Sequence, residues 1–511
     1  MSKKSDLDSL LQKLMMDTEE RRTSATETLH HQSQKDEGQF FTPSPVANLV
    51  ASKLSLRNLN QVRILDPGAG VGSLSVALIS RVLREMNCSS ISLVLVEKDS
   101  KLIPFLAETA NQITHVANSV NVNVDVTIEN SDFFDLFTSI NHSDKNLDSP
   151  FDLIIMNPPY GKINASTPER IALRNLGVDC PNLYSGFIAL SLRLLRPLGS
   201  LAAITPRSFM NGPYFLEFRK DLLLNLNIER IHLFESRSSL FADTGVLQEN
   251  VIFSGTRSKQ KSVVKISTSK DHSDLITSEK FEFTQIVLPD DSNKFLRIPS
   301  SDDVSKIIDT MESLPNTLDD LGITVSTGRV VDFRVKDFLA KEVRVGDTPL
   351  IYPGNFEKGR IVWPRDIKKP QSISSELTSL LLPNETYVVI KRFSSKEERR
   401  RIVASIWEPS NFSGQFVGFE NHLNVLHKNS LGLSRELAVG LLYWLNSSLV
   451  DKYFRVFSGH TQVNATDIRS MRFPSKDVLI KLGQGLDLNL PEQDVIDELV
   501  SQLIFQEIAV A

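Results

Sequence analysis

The feature that most restricts this chain is a succession of short apolar runs, "VRIL" from Val62, "ISLVLV" from Ile91, "VNVDVTI" from Val122 and "FDLIIM" from Phe151. Between them lie segments such as "VGSLSVALISRVLREM", whose apolar residues recur at helical spacing. Runs this short, bounded by turn residues, read as strands, and strands alternating with helices imply a mainly parallel sheet. The pattern continues through the helix "LYSGFIALSLRLL", a turn at "RPLGS", the strand "LAAIT", the helix "YFLEFRKDLLLN" and strands near "IERIHLF" and "QENVIFSG". About seven strands over residues 62–254 make one complete α/β domain of Rossmann-like type.

At 511 residues the chain exceeds what one core usually serves, so two or three domains are expected. Residues 1–37 are polar, with a weak helical stripe at Leu7, Leu10, Leu11 and Leu14, and read as an N-terminal helix or flexible arm. Residues 38–285 hold the α/β domain. Within 255–300, rich in Ser, Lys and Asp, a connection with an edge hairpin is expected. Residues 286–511 form a second, mixed α+β domain, with turn-rich stretches such as "YPGNFEKGRIVWP" and one amphipathic helix, "SRELAVGLLYWLNSSLVDKYFRVF".

No run of 18 apolar residues occurs and the first 22 residues carry charges where a signal peptide needs an apolar stretch, which predicts a cytoplasmic chain without a membrane segment. Two cysteines, Cys88 and Cys180, are too few for a disulfide framework or a zinc site, so both are expected reduced and no metal is expected. The net charge of -5 excludes a uniformly basic nucleic-acid binder, yet Leu321–Arg401 carries 16 Lys+Arg against 10 Asp+Glu, an excess of +6. A basic region beside an acidic body suits a polyanion, and it also suits an ordinary solvated surface.

The ends of the four runs carry chemistry. "ILDPGAGVGSLSVAL" is a strand, an acidic residue, a glycine-rich turn and a helix. Gly68, Gly70 and Gly72 allow a sharp turn and a close ligand, and Asp66 before Pro67 suits an ammonium group better than a diphosphate. Glu97 ends the second strand, where a carboxylate can take both hydroxyls of a ribose. Asp132 and Phe133 follow the third, a carboxylate for an exocyclic amine and a ring for an adenine. The fourth ends in "NPPY", Asn157 to Tyr160; "PPY" is expected about 0.014 times by chance in a chain of this composition. Four such ends line one edge of an open sheet, where α/β proteins bind ligands.

On these residues the chain resembles the S-adenosylmethionine-dependent amino-methyltransferases, and within them the gamma-class, TaqI-type DNA N6-adenine methyltransferases of type II restriction-modification systems. The order "QFFTP", "DPGAGVG", "NPPY", then a C-terminal recognition domain, carries the resemblance. In length and general appearance the chain is similar to the PstI and BsuBI modification enzymes. The resemblance implies that Gln39, Phe40, Thr42 and Pro43 close over the methionine part of the cofactor, with Thr42 at its carboxylate. It implies that Asp66, Gly68, Gly70, Glu97, Asp132, Phe133 and Asn157 bind the cofactor. It also implies that Phe241 faces Tyr160 across the target base. Double-stranded DNA, a separate restriction endonuclease as functional partner, and a monomeric or dimeric state follow from the same source.

The chemistry explains "NPPY" without the resemblance. An amine conjugated to a purine is a poor nucleophile, and two acceptors, the Asn157 side-chain oxygen and the Pro158 carbonyl, can hydrogen-bond both its hydrogens and favour a pyramidal nitrogen. Tyr160 offers a stacking face to a base taken out of the duplex. A protein glutamine or an RNA guanine would suit the same tetrapeptide, and a catalytically silent DNA-binding subunit is the reading from outside enzymology. In the second domain, Arg392, Arg455, His460, Gln462, Asn464 and Arg469, with Ser458, are candidates for phosphate or base contact. The bland alternative there is that "VNATDI" caps a helix through Thr466 and that "IKRFSSKEERRRI" is a solvated hairpin.

Overall fold

The computed structural model describes residues 2–28, 41–139, 150–234, 249–269, 276–299, 302–342, 346–394, 398–458 and 462–508. The chain divides into two compact units, residues 1–296 and 297–511.

In the first unit, nine strands among the described residues form one mixed sheet. They are β1 (Gln61–Pro67), β2 (Ser90–Val96), β3 (Asn123–Glu129), β4 (Phe151–Met156), β5 (Leu195–Pro206), β6 (Asn227–Phe234), β7 (Asn250–Thr256), β8 (Val263–Ser269) and β9 (Thr277–Glu282). Their order is β3-β2-β1-β4-β5-β7-β6-β8-β9. β1 to β5 run parallel, and β7 runs antiparallel between β5 and β6. The first seven strands are the Rossmann-like sheet the sequence predicts; β8 and β9 extend it as an antiparallel hairpin. β4 is buried along its whole length, as a central parallel strand covered on both faces must be, whereas edge strand β3 is buried only in part and reads as "NVDVTIE". "RPLGS" is not a turn: β5 runs through it, with Leu198 in a left-handed conformation at φ 64°.

β1 neighbours both β2 and β4, so successive strands are added to opposite sides of it, and the crevice beyond their C-terminal ends is where open sheets of this kind take ligands. The N-terminal helix Ser2–Thr28 is no loose arm. Leu11 and Leu14 are buried in the sheet's hydrophobic core, with Leu7 and Leu10 packed against it. Further along, Arg21 Nε donates to Thr109 Oγ1 (3.0 Å), which donates to the Val71 carbonyl (2.8 Å), tying this helix to the glycine-rich turn. The Glu19 carboxylate accepts from the Ser44 N–H (2.9 Å) and hydroxyl (2.7 Å), holding the start of the helix Ser44–Lys53. The first unit extends to Leu296 because Leu296 N–H bonds the Met210 carbonyl (2.9 Å) and the buried Arg219 guanidinium packs on Phe295 and donates to Asn293 O (2.9 Å).

The second unit has two sheets among its described residues, of six and five short strands. Tyr387, Val389, Trp407, Phe419 and Val425 pack between strands as one core. The long apolar stretch expected as a single helix is two, Arg435–Leu445 and Ser448–Phe457; Ser447 interrupts it and caps the second by accepting from Val450 N–H (3.3 Å). The helices Arg435–Leu445 and Lys476–Gly483 meet backbone to backbone: a Cβ on Gly440 would collide with the Leu479 carbonyl, and one on Gly483 with that of Glu436. Among the described residues no helix is long and apolar enough to cross a membrane, and both cysteines are buried and unbonded.

Candidate active site

The turn after β1 is built by backbone that only glycine adopts without strain, with φ of 81° at Gly68, 58° at Gly70 and 90° at Gly72. The amides of Gly68 and Ala69 both donate to the Val96 carbonyl (2.8 and 2.9 Å), joining the turn to the end of β2. Glu97 sits one residue further. Its Oε2 accepts from Gly70 N–H and its Oε1 from Asp99 N–H, each at 2.8 Å. Burial raises its pKa against those two bonds.

These groups face a cavity of about 430 Å³, within the range of sites that enclose small ligands. Its wall includes Phe41, Thr42, Gly68, Gly70, Glu97, Asp132, Phe133 and Asn157. Phe133 is buried with its ring 5.1 Å from that of Phe187, which also lines the cavity. Asp132 accepts from Phe134 N–H through Oδ1 (2.8 Å) and pairs with Lys98 Nζ through Oδ2 (2.9 Å). Lys98 and Phe187 were not singled out in the sequence; Lys98 directly follows Glu97, and Phe187 lies in a helix that reads as ordinary core.

At the end of β4 the Asn157 amide is held from both sides. Its Nδ2 donates to Thr42 Oγ1 (3.0 Å), and its Oδ1 accepts from the Tyr160 hydroxyl (3.0 Å). The Thr42 and Tyr160 hydroxyls thus hold the two ends of the carboxamide in place. Pro158 and Tyr160 are buried. The Tyr160 ring packs edge-to-face on Tyr184 (6.4 Å, 85°), and burial pushes its phenol far above the usual tyrosine range.

Asp66 does not form the cavity wall. It is fully buried behind the turn, with Oδ2 accepting from Ser75 Oγ (2.6 Å) and Oδ1 without a partner. Burial first, and the Glu97 carboxylate after it, push its pKa up to about 7 against the Ser75 bond. Pro43 precedes the helix Ser44–Lys53. Gln39, Phe40, Phe241 and His460 lie outside the described residues. Among the described residues no group of three His, Cys, Asp or Glu side chains is placed to hold a metal ion.

In the second unit the candidates separate. Ser458 is fully buried and accepts from Arg401, itself fully buried, whose guanidinium lies over the Phe454 ring; this arginine of the "RRR" run serves the core. Arg455 pairs with Asp451 (2.7 Å) and donates to the Glu398 carbonyl (2.9 Å). The helix in "VNATDI" is capped by Asn464 with Asp467, not by Thr466. Arg469 is exposed at the end of that helix. Arg392 and Gln462 meet, Nη2 donating to Oε1 at 3.4 Å.

Comparisons with known proteins agree in kind. Residues 83–241 match the family described as Eco57I restriction-modification methylase. The type II methyltransferase M.BsuBI of Bacillus subtilis is 43% identical over 485 residues, 92% of this chain and 94% of that protein. The type II methyltransferase M.PstI of Providencia stuartii is 38% identical over 490 residues, 94% of this chain and 95% of that protein. Among solved structures, the type IIL restriction-modification enzyme MmeI in complex with DNA aligns with a TM-score of 0.55 at 11% identity, covering 99% of this chain and 75% of that one, a likeness of fold.

Proposed function

This chain belongs to the type II DNA methyltransferases of restriction-modification systems, and from that premise we propose that it methylates adenine N6 at a specific duplex sequence and so protects DNA from a separate endonuclease. The observation that carries the reading is the Asn157 amide, held between Thr42 and Tyr160 on the wall of a ligand-sized cavity where the sheet's strand order reverses.

The wall suits S-adenosylmethionine. The Glu97 carboxylate on that wall suits ribose hydroxyls, Asp132 with Phe133 offers an acceptor and a ring to an adenine, and Asp66, behind the turn, adds negative charge near a cationic ligand. Bound there, S-adenosylmethionine supplies a methyl group on a sulfonium, electrophilic enough for a nitrogen lone pair to take.

The chain's own residues then need only prepare the nitrogen. Asn157 Oδ1 and the Pro158 carbonyl accept the two N6 hydrogens and draw the lone pair out of conjugation, in a setting already arranged before the base arrives. Tyr160 forms one wall for the target base, which must leave the duplex because its amine is otherwise paired. After transfer, one N6 proton departs; a carboxamide oxygen is too weak a base to keep it, and it passes to water. No nucleophilic side chain is required, and buried Cys180, its thiol pushed up to about 12 by burial, is unsuited to be one.

The test is to incubate wild type and Asn157→Ala with methyl-labelled S-adenosylmethionine and mixed-sequence duplex DNA, then digest to nucleosides. Labelled N6-methyladenine, reduced about 10²–10³-fold or more in the variant, is expected. Labelled N4-methylcytosine would overturn the choice of base, and label confined to RNA or protein would overturn the DNA reading.

A further inference from the structure

On the second unit, two exposed phenylalanines stand on one connected face. Phe333 is 63% exposed and Phe393 43%. Single exposed apolar side chains are ordinary, but here each ring carries a guanidinium, Arg334 at 5.6 Å from the centroid of Phe333 and Arg392 at 5.9 Å from that of Phe393. Phe393 also packs on the His422 ring (4.9 Å, 46°) and bridges to Gln462 through its backbone. The two patches are joined: Asn421 N–H bonds the Val330 carbonyl (2.9 Å), Arg392 N–H bonds that of His422 (2.9 Å), and His422 lies near enough to Asp332 to act on its charge.

Beneath this face lies Glu420, a fully buried carboxylate whose two oxygens are both taken by His422, Oε2 by the backbone N–H (2.9 Å) and Oε1 by ring Nδ1. Burying a carboxylate costs free energy unless it is hydrogen-bonded, and these bonds fix a side chain that is itself 48% exposed. That ring satisfies the buried carboxylate and at the same time stands half in solvent, where a partner can reach it. With Nδ1 committed to Glu420, Nε2 is the atom that can address it.

We infer that the face of Phe333, Arg334, Arg392, Phe393, His422 and Gln462 is where the second unit contacts duplex DNA, an inference that rests on the reading of this chain as a DNA methyltransferase. Charge complementarity favours DNA: the stretch Leu321–Arg401 that supplies most of these residues carries the excess of +6 within a chain of net charge -5. The groups suit it as well. Guanidinium and imidazole donors address phosphates or base edges, the Gln462 amide reads a base edge, and flat exposed rings pack against thymine methyls or wedge between base steps.

The test uses the full chain, a fluorescent mixed-sequence duplex and methyl transfer to genomic DNA. The variants are Phe333→Ala/Phe393→Ala, Arg334→Gln, and Lys476→Gln, an exposed lysine on a helix of the same unit, as control. The double variant is expected to weaken duplex binding and raise KM for DNA about tenfold or more, and to methylate sites the wild type leaves alone, with thermal midpoint and S-adenosylmethionine affinity unchanged. Arg334→Gln is expected to lower the slope of log affinity against log salt by about one, which Lys476→Gln leaves in place. Wild-type duplex affinity, KM and site choice in the double variant, with an unchanged salt slope in Arg334→Gln, would overturn the inference. A wild type that labels no DNA would overturn the function proposed above, and the duplex-binding measurements would still decide this face.

Discussion

Two of the completely buried carboxylates among the described residues are used in opposite ways. Asp66, behind the glycine-rich turn of the first unit, has Ser75 on one oxygen and nothing on the other. Glu420, in the second, has both oxygens on one half-exposed histidine. A buried charge must be matched, by the protein or by a ligand. Glu420 is matched internally and serves to aim a side chain outward; Asp66 is matched only in part. The first unit thus keeps a deficit behind its cavity wall, and the second presents a histidine at its surface.

The largest expected effect comes from removing that deficit. Asp66 has a pKa of about 7 against an ordinary 3.8, so between pH 4 and 7 the folded chain holds a proton that the unfolded chain has lost. Stability contributed by this group is complete below about pH 4 and is lost as pH rises to 7. Asp66→Asn carries no such penalty. It is expected to be more stable than wild type at pH 8, by on the order of 4 kcal/mol at most, and to lack this part of the decline. It is also expected to bind S-adenosylmethionine more weakly. Thermal unfolding from pH 4 to 8, with calorimetric cofactor titration, measures both. A variant no more stable than wild type at pH 8 would remove the contrast with Glu420.

A second prediction concerns the orientation of the Asn157 amide. Thr42→Val keeps the shape and removes the acceptor for Nδ2. Losing one neutral hydrogen bond corresponds to about 1 kcal/mol, so kcat should fall roughly five- to tenfold. If Thr42 acts on Asn157, KM and Kd for S-adenosylmethionine stay within about threefold and Thr42→Ser restores kcat. A rise in cofactor Kd with kcat unchanged would instead make Thr42 a ligand to the methionine carboxylate, the role the family resemblance implies.

The same contact shows where the sequence stops being informative. Strand ends are legible because each polar group lies within a residue or two of the apolar run that positions it, so the sheet and the groups around Gly68, Glu97, Asp132 and Asn157 follow from local pattern. Thr42 and Asn157 stand 115 residues apart, and nothing local pairs them. In the second unit little is local. Charge runs such as "KEERRRI" do not say which arginine turns inward, and Arg401 does so where Ser394 and Ser458 take its guanidinium. Glu420 and His422 are two residues apart, but their value depends on burial of one and exposure of the other, which composition does not carry. The break at Ser447 was legible in principle, since "NSS" places a good cap inside an apolar stretch.

The smallest effect sharpens the comparison at the cavity's adenine end. Asp132 Oδ2 pairs with Lys98 Nζ, whose side chain is 75% exposed, and pairs of that kind contribute less than about 1 kcal/mol. An adenine amine that takes the Asp132 carboxylate competes with a partner that leaves at little cost, whereas His422 has no comparable escape from Glu420. Lys98→Met removes the competitor, so affinity for S-adenosylmethionine should tighten, by no more than about threefold, and depend less on salt, as calorimetry at low and high ionic strength would measure. A loss of tenfold or more would mean that Lys98 itself holds the ligand, and the cavity would then share with the second unit the device of a side chain presented on a carboxylate.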